Sequence, residues 1–166
     1  MAGYGDDSGL TAWLAAEGRT LPSGAPTAAV LRQRASVYID AVYGPRFYGV
    51  PTDSITQDRA WPRTGAKAYG QGIASDVIPA AVVQASYVAA YEEAISPGSL
   101  SVTGSGGIKR EKVGSLEVEY FEAASQDLKD AAARRVAPPI LAIDGLLAPF
   151  MAPLEISNGP TIWSIG

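Results

Sequence analysis

A mainly α fold, a small helical bundle with a projecting β-hairpin and an extended C-terminal tail, is what this sequence predicts, on three observations. Two stretches, 27–43 and 79–95, repeat apolar side chains at helical spacing and run into Gly-Pro and Ser-Pro-Gly breaks. One stretch, 108–121, alternates in the manner of strands and breaks at Gly114-Ser115. The 18 glycines and 12 prolines are spread along the chain, which keeps the regular elements short. With 166 residues and 47% apolar content, the chain can bury one modest core but not two. We expect a helical domain over residues 1–123, with a long loop at 44–78 and the hairpin at 108–121, followed over 124–166 by a linker, a short apolar helix and a tail.

The elements follow in order. Ser8 is placed to cap a short helix in which Leu10, Trp13 and Leu14 share a face before Gly18 stops it. Thr27 caps a longer helix ending at Tyr43 before Gly44-Pro45, with Val30, Leu31, Ala35, Val37, Tyr38, Ala41 and Val42 as its apolar stripe. Arg32, Ser36 and Asp40, four apart, line the opposite side. Residues 44–78 hold "YGPRFYGVPT" and "AWPRTG", too aromatic for a disordered linker, so this loop must pack on something. A second strong helix starts at Pro79 and runs to Ile95, with Val83, Tyr87, Ala90, Tyr91 and Ala94 on one side. Glu92 and Glu93 oppose its C-terminal dipole, which calls for nearby cations, from a neighbouring chain for example.

Residues 97–107 are small, polar and glycine-rich, the composition of a mobile connection. If Gly114-Ser115 forms a two-residue turn, Lys112 faces Glu117 and Arg110 faces Glu119. Each opposite-charge pair then contributes roughly 0.2 to 1 kcal/mol. The other face of the ribbon carries Val113, Leu116, Val118 and Tyr120. Beyond a weakly helical connector, Pro139 leads an apolar helix with Ile140, Ile143, Leu146 and Leu147 as burial candidates. The tail offers isolated apolar anchors, Phe150, Leu154, Ile156, Ile162, Trp163 and Ile165. Internal repeats are not visible.

Composition narrows the chemistry. The chain has 17 acidic and 13 basic side chains, net charge -4, so its overall field repels polyanions. The lack of cysteine removes disulfides, thiolate nucleophiles and thiolate metal sites. The lack of histidine removes the usual base of Ser and Cys nucleophile systems. The acidic start "MAGYGDDSG" is no secretory signal, and no apolar run approaches the roughly 20 residues of a membrane helix. The expectation is a soluble intracellular product with no membrane partner.

"TGSGGIKR" lacks phosphate-loop spacing and does not lead from a strand into a helix. Glu117 and Glu119 share a strand face, as an acid-base or Mg²⁺ pair would, but Lys112 and Arg110 occupy them. No catalytic, cofactor or metal site is expected, and the protein is read as not an enzyme. Arg46, Arg59, Arg63 and Lys67, interleaved with Phe47, Tyr48, Trp61 and Tyr69, are the best candidates for contacting single-stranded DNA. The competing reading packs those aromatics on the helices under arginine stems. Trp163 serves either as a plug over its own core or as an anchor for another chain.

The succession "AVLRQRASVYIDAVYGPRF", "AWPRTG", "DVIPAAVVQASYVAAYEEA", "PGSL" and "IKREKVGSLEVEY" resembles a family of tailed-bacteriophage head-tail connector, adaptor or head-completion proteins, often labelled DnaT-like single-stranded-DNA-binding. The resemblance covers roughly residues 8–123 and the helix after Pro139. It implies a dodecameric ring of this chain at the virion neck, assembled after synthesis in the host cytoplasm. The ring would sit beneath the portal protein and join it to a tail or neck protein, with genomic DNA passing through its lumen unread. In that arrangement Arg110, Lys112, Leu116, Glu117, Val118, Glu119 and Tyr120 serve the subunit interface, and the tail anchors bind portal. The label itself supplies the alternative, a single-stranded-DNA-binding replication accessory.

Overall fold

The computed structural model describes residues 3–100 and 140–153. The expected hairpin 108–121 and the tail anchors Leu154, Ile156, Ile162, Trp163 and Ile165 lie outside the described residues, and with them Arg110, Lys112, Leu116, Glu117, Val118, Glu119 and Tyr120. Four α-helices frame the described part: α1 (Asp7–Ala16), α2 (Ala28–Tyr43), α3 (Ala80–Ile95) and α4 (Leu141–Leu147). The mainly helical fold is as the periodicity predicts. No helix among the described residues is long and apolar enough to cross a membrane.

Helix α2 packs along α3, α3 along α4, and α1 against α2. The central layer is built from Leu31, Ala35, Tyr38 and Ile39 of α2, Val82, Ala85, Ala89 and Ala90 of α3, and Ile143 and Leu147 of α4. The alanines at the α2–α3 contact let the two backbones approach. Pro79 starts α3 and Thr27 occupies the N-cap of α2, although the Thr27 side chain makes no cap bond.

Two expectations about the helices are corrected. The cap of α1 is Asp6: its carboxylate accepts from the Gly9 amide at 2.7 Å, and the Ser8 hydroxyl donates to that same carboxylate. Ser8 and then the Gly9 amide hold the Asp6 carboxyl below its usual value. At the other end Gly18 does stop the helix. It turns left-handed at φ 64° while the Gly18 and Arg19 amides donate to Ala15 and Leu14, the paired bonds of a Schellman turn.

The larger correction concerns α2, whose polar row Arg32, Ser36 and Asp40 points inward, leaving Val30 and Val37 among its more exposed side chains. The cause is the segment before α1, which lies over that row. The Arg32 guanidinium donates to the Gly3, Tyr4 and Gly5 carbonyls and pairs with Asp7 at 2.7 Å. Ser36 accepts from the Tyr4 amide at 2.8 Å and contacts Ser86 of α3 at 3.2 Å. Arg32, Ser36 and Asp40 are tolerated there because each finds a partner. Glu93 is likewise relieved within the chain: buried, it pairs with Arg34 at 3.1 Å and accepts from the Gly98 and Leu100 amides.

Candidate nucleic-acid interface

The loop between α2 and α3 carries the basic and aromatic residues, and it is more ordered than a loop-only reading expects. Two antiparallel ribbons lie inside it. Strand β1 (Val50–Pro51) pairs with β2 (Arg63–Thr64), and β3 (Lys67–Ala68) pairs with β4 (Gln71–Gly72). Two residues per strand is too short for an alternation pattern, which is why periodicity missed them. The loop is tied to the chain after α4: the Tyr48 amide donates to the Phe150 carbonyl at 3.0 Å, and the Ala152 amide to Arg46 at 2.9 Å.

Arg63 is the hub of this loop. Its buried guanidinium donates to four carbonyls, those of Phe47, Tyr48, Gly49 and Ala60, at 2.5 to 3.3 Å. Burial lowers its pKa, so the charge is held by those carbonyl dipoles rather than by water. Gly49 must be glycine, since it sits at φ 75° and a Cβ there would lie 2.7 Å from the Ala66 nitrogen and closer still to the Thr64 oxygen. Trp61 is buried between Phe47 and Phe150, with ring centroids 5.5 and 6.0 Å away, and its peptide bond to Pro62 is cis.

The candidate DNA-contacting residues therefore separate. Arg59 is drawn inward to Asp40 at 3.4 Å. Beside it the Tyr4 hydroxyl donates to Asp40 and accepts from the Trp61 amide at 3.2 Å. Desolvation raises the Asp40 carboxyl and, further, the Tyr4 phenol. Arg63 is buried and Arg46 half-buried. Phe47 and Trp61 are core. Phe150, expected among the tail anchors, packs on Trp61 instead.

What faces solvent is a smaller set. Lys67 is exposed, its ammonium 4.4 Å from the centre of the half-buried Tyr48 ring. Tyr69 is 86% exposed at the tip of the β3–β4 ribbon, where Tyr69 and Gly70 form the two-residue turn with φ of 50° and 78°. Two left-handed residues in succession are the signature of a type I′ turn, whose first position usually holds Asn, Asp or Gly. A tyrosine held there bears a backbone cost and projects its ring into water. The "AYGQG" stretch carried a faint signal of this, a Gly at the second turn position, without the flanking alternation that makes a hairpin readable.

An edge with a cation over one ring, an exposed second ring and a rigid base suits stacking against unpaired bases and pairing with a phosphate. Acid-base or metal chemistry would need a different set, and among the described residues no three acidic side chains are grouped to hold a metal ion. The sequence matches, over residues 4–162, the family described as "Putative DnaT-like ssDNA binding protein", and the chain belongs to that family. Neither the curated proteins nor the solved structures contain a match to it.

Proposed function

We propose that this member of the DnaT-like single-stranded-DNA-binding family is a non-catalytic module that binds single-stranded DNA weakly and without sequence preference, through Tyr48, Lys67 and Tyr69. The observation that carries the reading is Tyr69, a large ring left in water on a strained turn beside a lysine already seated on an aromatic face. Bases of any identity present a π-face, so such an edge is sequence-tolerant. The buried Arg63 and the Trp61 cluster act as its foundation.

The test is an anisotropy titration with a labelled unstructured oligonucleotide, run on the full chain and on Tyr69→Ala and Lys67→Ala. Both changes lie at exposed positions, so the melting temperature is expected to hold while affinity drops. Stacking is worth about 1 to 3 kcal/mol per base, so Tyr69→Ala is expected to weaken binding roughly 5- to 150-fold. Affinity untouched by both substitutions, or duplex bound as well as single strand, rules the reading out.

A second reading, a head-tail connector ring at the virion neck, has its own supporting observation. Arg32, Arg34 and Arg59 are ion-paired within the chain and Arg63 is sunk among carbonyls, in a molecule of net charge -4. A wall with its cations turned inward lets DNA slide past without holding it. In this reading the partners are further copies of the chain, the portal protein and a tail or neck protein. Sedimentation of the purified chain with and without portal distinguishes the two: a discrete ring or a portal complex favours the connector, and a monomer that binds oligonucleotide favours the first reading.

A further inference from the structure

Tyr48 and Lys67 belong to different parts of the loop, and neither ribbon pairs them with each other: β1 joins β2, and β3 joins β4. What lies against both is the chain that follows α4. On one side it forms a single antiparallel bridge, Phe47 opposite Met151, closed by the Tyr48 amide on the Phe150 carbonyl at 3.0 Å and the Ala152 amide on the Arg46 carbonyl at 2.9 Å. On the other side β3, the strand that carries Lys67, lies beside the turn Ala148–Phe150. This segment is itself anchored at both ends. It continues α4 directly, the Ala148 amide donating to the Asp144 carbonyl, and α4 buries Ile143 and Leu147 as it packs along α3. Farther along, Phe150 is buried edge-on to Trp61, ring centroids 6.0 Å apart, and Met151 is buried after it.

We propose that residues 148–152 position the single-stranded-DNA edge, with Phe150 as the positioning residue that holds Tyr48 where the Lys67 ammonium can sit on its ring. The inference rests on the reading of Tyr48, Lys67 and Tyr69 as that edge, and adds that the helical bundle, through α4, sets its geometry. The Phe150 ring is locked on Trp61 while its carbonyl receives the Tyr48 amide, so the ring's packing fixes the backbone that Tyr48 hangs from. Lys67 then finds its seat, the ammonium 4.4 Å from the ring centre. A long lysine side chain left unseated spreads over many rotamers. One already seated has less to lose when a strand arrives, so a loosened seat lowers affinity.

Two variants of the full chain loosen the segment from different sides. Phe150→Leu takes the ring off Trp61. Ala152→Pro, at an exposed position, deletes the amide that donates to Arg46 and puts a ring against that carbonyl. Should Phe150→Leu fail to fold by circular dichroism, Ala152→Pro, outside the core, carries the test. The first measurement uses no DNA: the proton resonances of the Lys67 ε-methylene, assigned by comparison with Lys67→Arg. They are expected to be displaced by the Tyr48 ring in the intact chain and to move toward the position of a free lysine in both variants. Glu93→Ala, a destabilised variant whose change lies where α3 meets Arg34 of α2, is expected to leave that signal in place, which separates positioning from a general loss of stability. In the second measurement, anisotropy with the labelled oligonucleotide, each loosened variant is expected to bind about 2- to 5-fold more weakly, the share of a cation seated on an exposed ring. A Lys67 signal unmoved by the loosening, or moved equally by Glu93→Ala, overturns the proposal, and so does a displaced signal with undiminished affinity. An intact chain that binds no oligonucleotide removes the DNA reading instead, and the Lys67 signal still decides whether residues 148–152 hold the pair.

Discussion

The Tyr4 hydroxyl joins three parts of the molecule: it donates to Asp40 on α2 and accepts from the Trp61 amide in the loop, while its own backbone amide reaches Ser36. Removing it with Tyr4→Phe leaves a buried carboxylate and a buried amide each short of a partner. The expected cost is about 1 to 3 kcal/mol, read by urea unfolding. The same burial predicts an alkaline limit to stability. Desolvation raises the Tyr4 and Tyr43 phenols well above their ordinary value of 10.0. Above that pH the folded chain keeps phenol protons that the unfolded chain has released, so unfolding releases protons and stability declines as pH rises. The tyrosine contribution is complete below pH 10 and fades from there toward the folded values. Urea midpoints measured across the alkaline range check this; Tyr4→Phe should flatten the decline. None of this was legible beforehand, because no periodic pattern in the stretch around Tyr4 ties it to Asp40 or Trp61, 36 and 57 residues away.

At the scale of elements, Glu93 decides how α3 ends. A carboxylate in the last turn opposes the helix dipole, yet here it caps the following loop and anchors Arg34. Glu93→Ala is expected to cost about 1 to 3 kcal/mol by leaving the buried Leu100 amide without its acceptor and the Gly98 amide without its own. Glu92→Ala, at a less buried neighbour, should cost less, and thermal melts of the two variants side by side test the order. Gly49→Ala makes a comparable point in the loop: the left-handed φ and the Thr64 and Ala66 backbone leave no room for a methyl. It should lower the melting temperature more than Gly24→Ala, where φ is also positive but the space is open. Helix existence and extent were readable from the sequence, since α2 and α3 begin and end where Thr27, Gly44, Pro79 and Ser96 place them. Leu31, Ala35 and Tyr38 of the expected α2 stripe are buried, but that the polar row beside them would be covered as well was not readable. Arg32, Ser36 and Asp40 are polar, and their burial depends on a segment 25 or more residues away folding over them. The loop ribbons were hidden for a different reason, being too short to carry a period.

On the scale of the whole molecule, charge placement sets how DNA can be held. Three arginines are spent on Asp7, Glu93 and Asp40 and a fourth on loop carbonyls, so Lys67 is the cation the stacking edge presents. The loop composition pointed to the right region, but it could not say that Arg59 and Arg63 would be consumed inside it; that follows from Trp61 and Phe47 entering the core and pulling their neighbours with them. The consequence is measurable as a salt dependence. For single strands the slope of log affinity against log salt is about -0.7 per phosphate neutralised. An edge built on one lysine and two rings engages one or two phosphates, which gives a slope of about -0.7 to -1.4. Lys67→Ala should move that slope toward zero, whereas Tyr69→Ala should lower affinity at every salt concentration and leave the slope in place. A slope several times steeper would mean that a row of cations grips the strand. If Arg110→Ala and Lys112→Ala then relaxed it, the contact would belong to the charged stretch 108–121 and not to the tyrosine edge.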